Sequence, residues 1–510
     1  VLLVLAVCVL GACARSQPEI IVITATPSPI ADGASIATPM AGAAAPFFPT
    51  MPVGQPTLAQ APAAAPDAQI YTVQAGDTLS SIALAQGTTI DMLYRLNALT
   101  DIDRLEVGQI LILPSRAVLP GSDAFLLPDG RVVRGPDGGR FDIAGAIAAA
   151  PGYLRSAVDQ VDGAFLNAAQ VVERVSLEYS VDARVLLALL EMRAGLLSNP
   201  NPADAQRDYA LGAPASRFGF DRRGLYRQLA WAADQLNAGY YGWKYRGLTQ
   251  VTFEDGARAE MNPRLNAGTA ALQTMLAQYR PYDAWRAEVA ELPAVYRRLF
   301  GEPPADLVPF TAAALVQPAL RLPFREGETW FFTGGPHGGW GTGSAWAAVD
   351  FAPPDDPAEQ TTACYRSQYP VTASADGVIA RSGGGAVVLD LDGDGDEATG
   401  WTVFYLHIDA AGRIPAGTRV AAGDRIGYAS CEGGVSNGTH VHIARRYNGE
   451  WLPADCSECS PAVRVPSFTF DGWTVVGLRG QEYQGYLVRG SERKVAEAMR
   501  GAADNRVTHD

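Results

Sequence analysis

The chain has 510 residues, enough for about three domains at roughly 150 residues each. Its 54 acidic and 40 basic side chains give a formal charge of −14, which argues against nucleic acid as a partner, because phosphate binding needs clustered Lys and Arg. Six Cys, 53 Gly and 35 Pro exclude a collagen or a coiled coil, and no apolar run is long enough for a multi-span membrane protein.

Residues 1–12, VLLVLAVCVLGA, are continuously apolar, too short to span a bilayer and of the right size for a signal-peptide core. The charged segment that normally precedes such a core is missing, so either the chain is clipped or translation starts at a codon written as valine. Leu10-Gly11-Ala12-Cys13 resembles a bacterial lipobox, in which small residues admit the processing peptidase and the cysteine takes a diacylglyceryl group. That resemblance implies a chain exported and lipid-anchored through Cys13 to the bacterial cell membrane, facing the wall; an ordinary secretory signal containing a cysteine is the alternative. Residues 14–68 read as a disordered linker: between 14 and 66 there are ten prolines, and only Arg15, Glu19 and Asp32 are charged. Such a composition cannot bury enough apolar surface to offset its ordering entropy.

Residues 69–115 contain YTVQAGDTLSSIALAQGTTIDMLYRLNALTDIDRLEVGQILILP. The pattern predicts a short strand, a helix with Leu79, Ile82 and Ala83 on one face, a second helix carrying Ile90, Leu93, Tyr94 and Leu96, and a closing strand at 109–113. This βααβ order, with YTVQAGDTL, LNAL and VGQILILP, resembles the LysM module over its whole length. The resemblance implies binding of N-acetylglucosamine-containing polymers, with Gly76, Asp77 and Thr78 in the first strand-helix loop of the glycan groove. Asp77 or Thr78 capping the first helix is the purely structural alternative.

Residues 135–322 are Ala- and Leu-rich with helical periodicity, and Gly195 is a plausible helix terminator. The stretches ARVLLALLEMRAG (183–195) and LAWAADQLNAGYYGWKYRGL (229–248) resemble the lysozyme-like lytic transglycosylases. Those enzymes place Glu-Ser-Gly where this chain has Arg193-Ala194-Gly195, and Glu191 is offset by two residues, a turn of about 200° on a helix. The expectation is a helical domain without glycosidase activity, either a degenerate glycan-binding unit or a spacer packed on the C-terminal domain.

Four of the five histidines, His337, His407, His440 and His442, fall between 337 and 442, in a Gly-, Val- and aromatic-rich region that reads as many short strands. In His440-Val441-His442, strand alternation sends both imidazoles to one face. Two imidazoles side by side in apolar surroundings are costly unless hydrogen bonds or a metal satisfy them. Between the outer histidines, Asp390, Asp392 and Asp394 alternate as in a calcium loop, but the twelfth position is Trp401 rather than the Glu of an EF-hand, so a solvated hairpin loop competes with a bound calcium.

The segments GGPHGGWGTGSAWAAVDFA (334–352), WTVFYLHID (401–409) and CEGGVSNGTHVHIARRYNGEW (431–451) resemble the lysostaphin-type zinc peptidases, and among them the staphylolysin and beta-lytic branch. Most such enzymes space the first ligands His-x-x-x-Asp, whereas here Trp346 stands four before Asp350; the branch with a long interval fits, with His337 thirteen residues before Asp350. The resemblance implies a mostly antiparallel β peptidase domain over 323–467, one zinc ion on His337, Asp350 and His442, and His440 and His407 as catalytic imidazoles. Zinc with three protein ligands keeps a position open for water and lowers its pKa to about 7. One of the two free histidines then serves as general base, with His440 preferred, and the other meets the developing oxyanion.

Cys364, Cys431, Cys456 and Cys459 lie beyond the signal, and an even number in an exported chain points to disulfides with three possible pairings, of which Cys364–Cys431 with Cys456–Cys459 is preferred. Residues 468–510 read as a β-hairpin followed by a charged, disordered tail that leaves His509 outside any site. Together these features predict a zinc-dependent endopeptidase of peptidoglycan cross-links, brought to its glycan and peptide substrate by the LysM module and to the membrane by a lipid anchor. The alternative is a non-catalytic envelope lipoprotein that binds wall or activates an amidase. A glycan hydrolase would need a catalytic Glu that the sequence displaces.

Overall fold

The computed structural model describes residues 69–214, 221–304, 315–355, 362–457, 459 and 463–510; the expected signal, Cys13 and the linker lie outside them. Strands Ile70–Thr72 and Ile110–Ile112 pair antiparallel beside helices Leu79–Ala85 and Ile90–Leu96. Leu79, Ile82, Ala83 and Leu93 turn inward onto Val73, Leu111 and Leu113, as the helical spacing requires. In the LNAL segment, Asn97 ties helix to strand: its Oδ1 accepts from Ile112 N at 2.6 Å and its Nδ2 donates to Leu93 O and Ile112 O, each at 2.9 Å. Thr78 caps the first helix by accepting from Ser81 N at 3.0 Å, and Asp77 accepts from Tyr71 Oη and Gln74 N at 2.8 and 2.7 Å. The loop around Gly76, whose φ is +90°, is thereby fixed by its own hydrogen bonds.

The module passes directly into the next domain. Ser115 N donates to Asp255 O at 2.7 Å, and strand Val118–Leu119 pairs in parallel with Arg258–Glu260. Helices Ala168–Tyr179, Ala183–Ala194, Leu225–Tyr245, Ala267–Ala277 and Tyr282–Phe300 then surround one apolar core. Gly195 ends its helix in the left-handed region at φ +63°, as expected. Buried Glu191 accepts from Leu197 N and Ser198 N at 3.0 and 3.1 Å and pairs with Arg298, so its carboxylate is taken up in closing the turn after its own helix.

The C-terminal domain is built on an antiparallel sheet. Its strands run in the spatial order Arg419–Val420, Gly377–Gly383, Ala386–Asp390, Trp401–Leu406, Val441–Tyr447, Ala348–Ala352, Thr329–His337 and Arg506–Thr508. Alternation splits each central strand between two cores. Val387, Leu389, Val403, Tyr405, Val441 and Ile443 face a core within the domain. Val388, Phe404, Leu406 and Ala444, with Trp451, join the core of the helices. The sheet is therefore covered on both faces, and the helical domain is one of its covers.

A buried polar cluster fastens that cover. The Glu450 carboxylate, fully buried on strand Glu450–Trp451, accepts from Lys244 Nζ at 2.6 and 2.8 Å and from Tyr245 Oη at 2.5 Å, while Trp451 N donates to Tyr241 Oη at 3.0 Å. The expected disulfides Cys364–Cys431 and Cys456–Cys459 both form.

The tail departs from expectation. Beyond the sheet of Thr469–Phe470, Trp473–Leu478, Gln481–Arg489 and Glu492–Val495, the chain does not end in disorder but in strand Arg506–Thr508, paired with the start of Thr329–His337. Its charges mislead because alternation leaves Arg506 and Thr508 exposed while Val507 is fully buried. His509 is buried too, 2.5 Å from Phe324 O and 3.0 Å from Asp471 Oδ2.

Removing one partner of a buried ion pair costs about 3–5 kcal/mol, because the other charge stays desolvated. Glu450→Ala is expected to lower the melting temperature by about 6 °C or more, read by calorimetry on the full chain.

Candidate metal centre

Strand register assembles the site. His442 lies directly opposite Asp350, which in turn lies opposite Gly334, three residues before His337. A Cβ on Gly334 would come within 2.3 Å of Asp350 Oδ2, so only glycine leaves room for that carboxylate. His337 Nε2 lies 3.3 Å from Asp350 Oδ1 and 3.0 Å from His442 Nδ1, and His442 Nδ1 lies 3.5 Å from Asp350 Oδ1. All three residues are buried.

The imidazoles are oriented by main-chain carbonyls. His337 Nδ1 is 2.8 Å from Gly335 O, and His442 Nε2 is 3.1 Å from Gly339 O. Each of these nitrogens must carry a hydrogen to donate, which leaves His337 Nε2 and His442 Nδ1 as lone pairs facing each other. Two facing lone pairs beside a carboxylate oxygen repel unless a metal ion, or a proton on His337 Nε2, lies between them. Asp350 Oδ1 is also a buried oxygen without a hydrogen-bond partner. Tetrahedral zinc at about 2.0–2.1 Å from its ligands separates them by about 3.4 Å, and the three distances of 3.0–3.5 Å fit. With no cation between them, the charges of the three groups compensate one another. Burial works against ionised Asp350, yet His337 and His440 hold its carboxyl well below the usual range. Burial depresses the His442 imidazole, whereas at His337 Asp350 outweighs burial and raises it.

Two more imidazoles adjoin this set. His440 Nδ1 is 2.7 Å from Gly438 O, with its Nε2 3.6 Å from Asp350 Oδ1. His407 Nδ1 is 3.2 Å from Glu432 O, and its ring centroid is 4.5 Å from that of His440. Burial, reinforced by His440 and His442, pushes the His407 pKa down to about 3, so it stays neutral and presents Nε2 as a lone pair. His407 also sits at φ +65°, a strained conformation for a residue other than glycine. The Cys364–Cys431 disulfide anchors this corner, joining the segment before Glu432 to the chain that receives Thr439 N on Ala363 O at 2.9 Å.

The closing hairpin adds two residues that sequence reasoning missed. Tyr483, itself at φ +65°, stacks on His337 with centroids 4.3 Å apart, and Glu482 accepts from Gly338 N at 3.1 Å. An aromatic residue next to a hairpin turn was the available signal, but nothing local tied it to a histidine 146 residues earlier. A cleft of about 1220 Å³ exposes the site, and the helical domain forms its other wall through Glu178, Tyr179, Tyr226 and Asp234.

Asp390, Asp392 and Asp394 also converge, with one oxygen from each within 4.8 Å of the others. The cluster is consistent with a calcium site. Asp390 is pushed up to about 6 by burial and by Asp392, as expected for carboxylates crowded without a cation. Much of the cluster already accepts hydrogen bonds from its own loop, Asp390 from Asp392 N and Gly395 N at 3.1 and 2.8 Å and Asp394 from Asp396 N at 2.8 Å, as in the solvated hairpin alternative.

Three converging ligand atoms, an open cleft and two adjacent imidazoles define a zinc metallopeptidase. Comparison with known families agrees: residues 361–453 match peptidase family M23, residues 71–114 the LysM domain, and residues 125–311 the N-terminal domain of LasA. The chain carries an M23-family zinc peptidase domain behind an N-terminal LysM domain. His337 and Asp350 precede the matched M23 segment, so it is the strand register that joins them to His442. Protease LasA of Pseudomonas aeruginosa (strain PAO1) is 27% identical over 386 residues, covering 72% of this chain and 82% of that protein. The N-acetylmuramoyl-L-alanine amidase XlyA of Bacillus subtilis (strain 168) is 40% identical over 62 residues, 12% of this chain and 21% of that one. Among solved structures, the deep-sea M23 metalloprotease pseudoalterin aligns with 22% identity and a TM-score of 0.27, over 36% of this chain and 96% of its own.

Elemental analysis checks the division between ligands and neighbouring imidazoles. The full chain is expected to hold about one zinc. His442→Ala and Asp350→Asn are expected to lose most of it, and His440→Ala to retain it.

Proposed function

We propose that the chain is a lipid-anchored zinc endopeptidase of the staphylolysin and beta-lytic branch that hydrolyses peptide cross-links of peptidoglycan at the bacterial wall. The observation that carries this reading is the convergence of His337 Nε2, Asp350 Oδ1 and His442 Nδ1 beside the paired rings of His440 and His407 in one cleft. The thirteen-residue interval from His337 to Asp350 and the likeness to Protease LasA over 72% of the chain support the branch. The LysM module and the relatives named as muramoyl-alanine amidases support a wall polymer as substrate. Among the described residues no helix is long and apolar enough to cross a membrane; the proposed anchor rests on Leu10-Gly11-Ala12-Cys13, which resembles a lipobox.

Zinc on the three ligands supplies a Lewis acid and a nucleophile at neutral pH. The protein's own residues manage the protons. His440, its Nδ1 hydrogen held on Gly438 O, accepts a proton at Nε2 and then returns it to the leaving amine. His407, neutral and fixed on Glu432 O, offers a second acceptor, and it can donate toward an oxyanion only after taking a proton itself. Gly76, Asp77 and Thr78 present the glycan-facing loop of the LysM module, and the domains divide at 69–115, 135–322 and 323–467, with 468–510 returning to the sheet of the last through Arg506–Thr508.

Purified chain incubated with peptidoglycan is expected to release peptide fragments, and a chelator or His442→Ala to abolish that release; equal release in all three cases overturns the assignment. His407 is already neutral above about pH 3, so lowering the pH from about 8 to 5 does not protonate it. His407→Gln should therefore slow hydrolysis without moving the acid limb of the kcat/KM profile. Cys13→Ala is expected to shift the expressed protein from the membrane fraction to the soluble fraction.

A further inference from the structure

The loop after ligand His337 is gripped by the helical domain. Asp234, on helix Leu225–Tyr245, accepts from Gly343 N at 2.8 Å through Oδ1 and from Thr342 Oγ1 at 2.7 Å through Oδ2. Arg246, just past the end of that helix, donates to Ser344 O and Gly343 O at 3.0 and 3.3 Å. The contact admits no side chain: a Cβ on Gly343 would lie 1.9 Å from Asp234 O, and one on Gly341 2.5 Å from Asp234 Oδ1. Within the loop, Gly339 N donates to Ala345 O and Trp340 N to Ser344 Oγ, both at 3.1 Å. The carbonyl of Gly339 then receives His442 Nε2 at 3.1 Å. A short, closely bonded path thus runs from Asp234 to a metal ligand that Asp234 does not touch.

We infer that Asp234 is a positioning residue of the metal centre. By clamping residues 341–343 it holds the Gly339 carbonyl where it fixes the His442 tautomer, with Nδ1 aimed at Asp350 and His337. This rests on the zinc assignment above and extends it: the helical domain acts as the outer support of the metal site as well as a cover for the sheet. Groups that orient a metal-ligating histidine typically contribute about 10–100-fold to metal affinity.

The test is zinc affinity of the full chain, measured by competition with a chromophoric chelator at fixed pH. Asp234→Ala is expected to bind zinc about 10-fold or more weakly, and Asp234→Asn less so, because its Oδ1 can still accept from Gly343 N. Gly343→Ala, which pushes the loop off the helix from the other side, should weaken binding to a similar extent. The double variant Asp234→Ala with Gly343→Ala should be no weaker than the worse single variant, since both break one contact. Lys244→Met loosens the same domain interface away from the loop, so it should lower the melting temperature and leave zinc affinity unchanged. Unchanged affinity in Asp234→Ala, or an equal loss in Lys244→Met, overturns the role of Asp234. A wild-type chain that binds no zinc overturns the metal assignment as well.

Discussion

The structure depends on one register: His442 opposite Asp350 opposite Gly334 across three antiparallel strands. Because side chains alternate along a strand, a one-residue slip would send Asp350 or His442 to the opposite face and destroy the set. The register gathers a carboxylate and two imidazole lone pairs on the largely buried floor of the cleft, which is unfavourable unless a cation satisfies them. Most of the surrounding structure resists the relaxation that this repulsion would otherwise drive. Carbonyls of Gly335 and Gly339 fix the two ligand rings, and Gly438 and Glu432 do the same for His440 and His407.

Rigidity at that register comes from burial on both faces of the sheet. Val441 and Ile443 pack into the core of the domain, while Phe404, Leu406 and Ala444 face the helices. Helix Leu225–Tyr245 makes both kinds of contact with the peptidase domain: Lys244 and Tyr245 hold Glu450, and Asp234 holds the loop after His337. The long interval between the first two ligands thereby has a structural use, because its residues reach the helical domain before the chain returns as Ala348–Ala352.

Legibility in the sequence tracks the range of the interactions. His440-Val441-His442 was legible because strand alternation is local, and the LysM elements because their apolar spacing and caps lie within a few residues of one another. The sites of Tyr483, Glu482 and Asp234 were not legible, because each meets the metal loop across more than 100 residues with no periodic signal. The terminal strand hid behind its charges: a single apolar residue, Val507, decides its burial, and composition outweighed it. The middle domain showed as helical, and packing on the C-terminal domain was one of its two readings; which residues make that contact, Phe404 and Trp451 among them, needed the long-range packing to become visible.

At this register two imidazoles and one carboxylate, with no thiolate, are the zinc ligands. X-ray absorption on the zinc-loaded full chain tests this assignment most directly. A nitrogen and oxygen shell at about 2.0–2.1 Å with outer scattering from two imidazoles is expected, and loss of that signal when His337 and His442 are both replaced by alanine. A sulfur shell at about 2.3 Å, or an unchanged spectrum in that double variant, would contradict it.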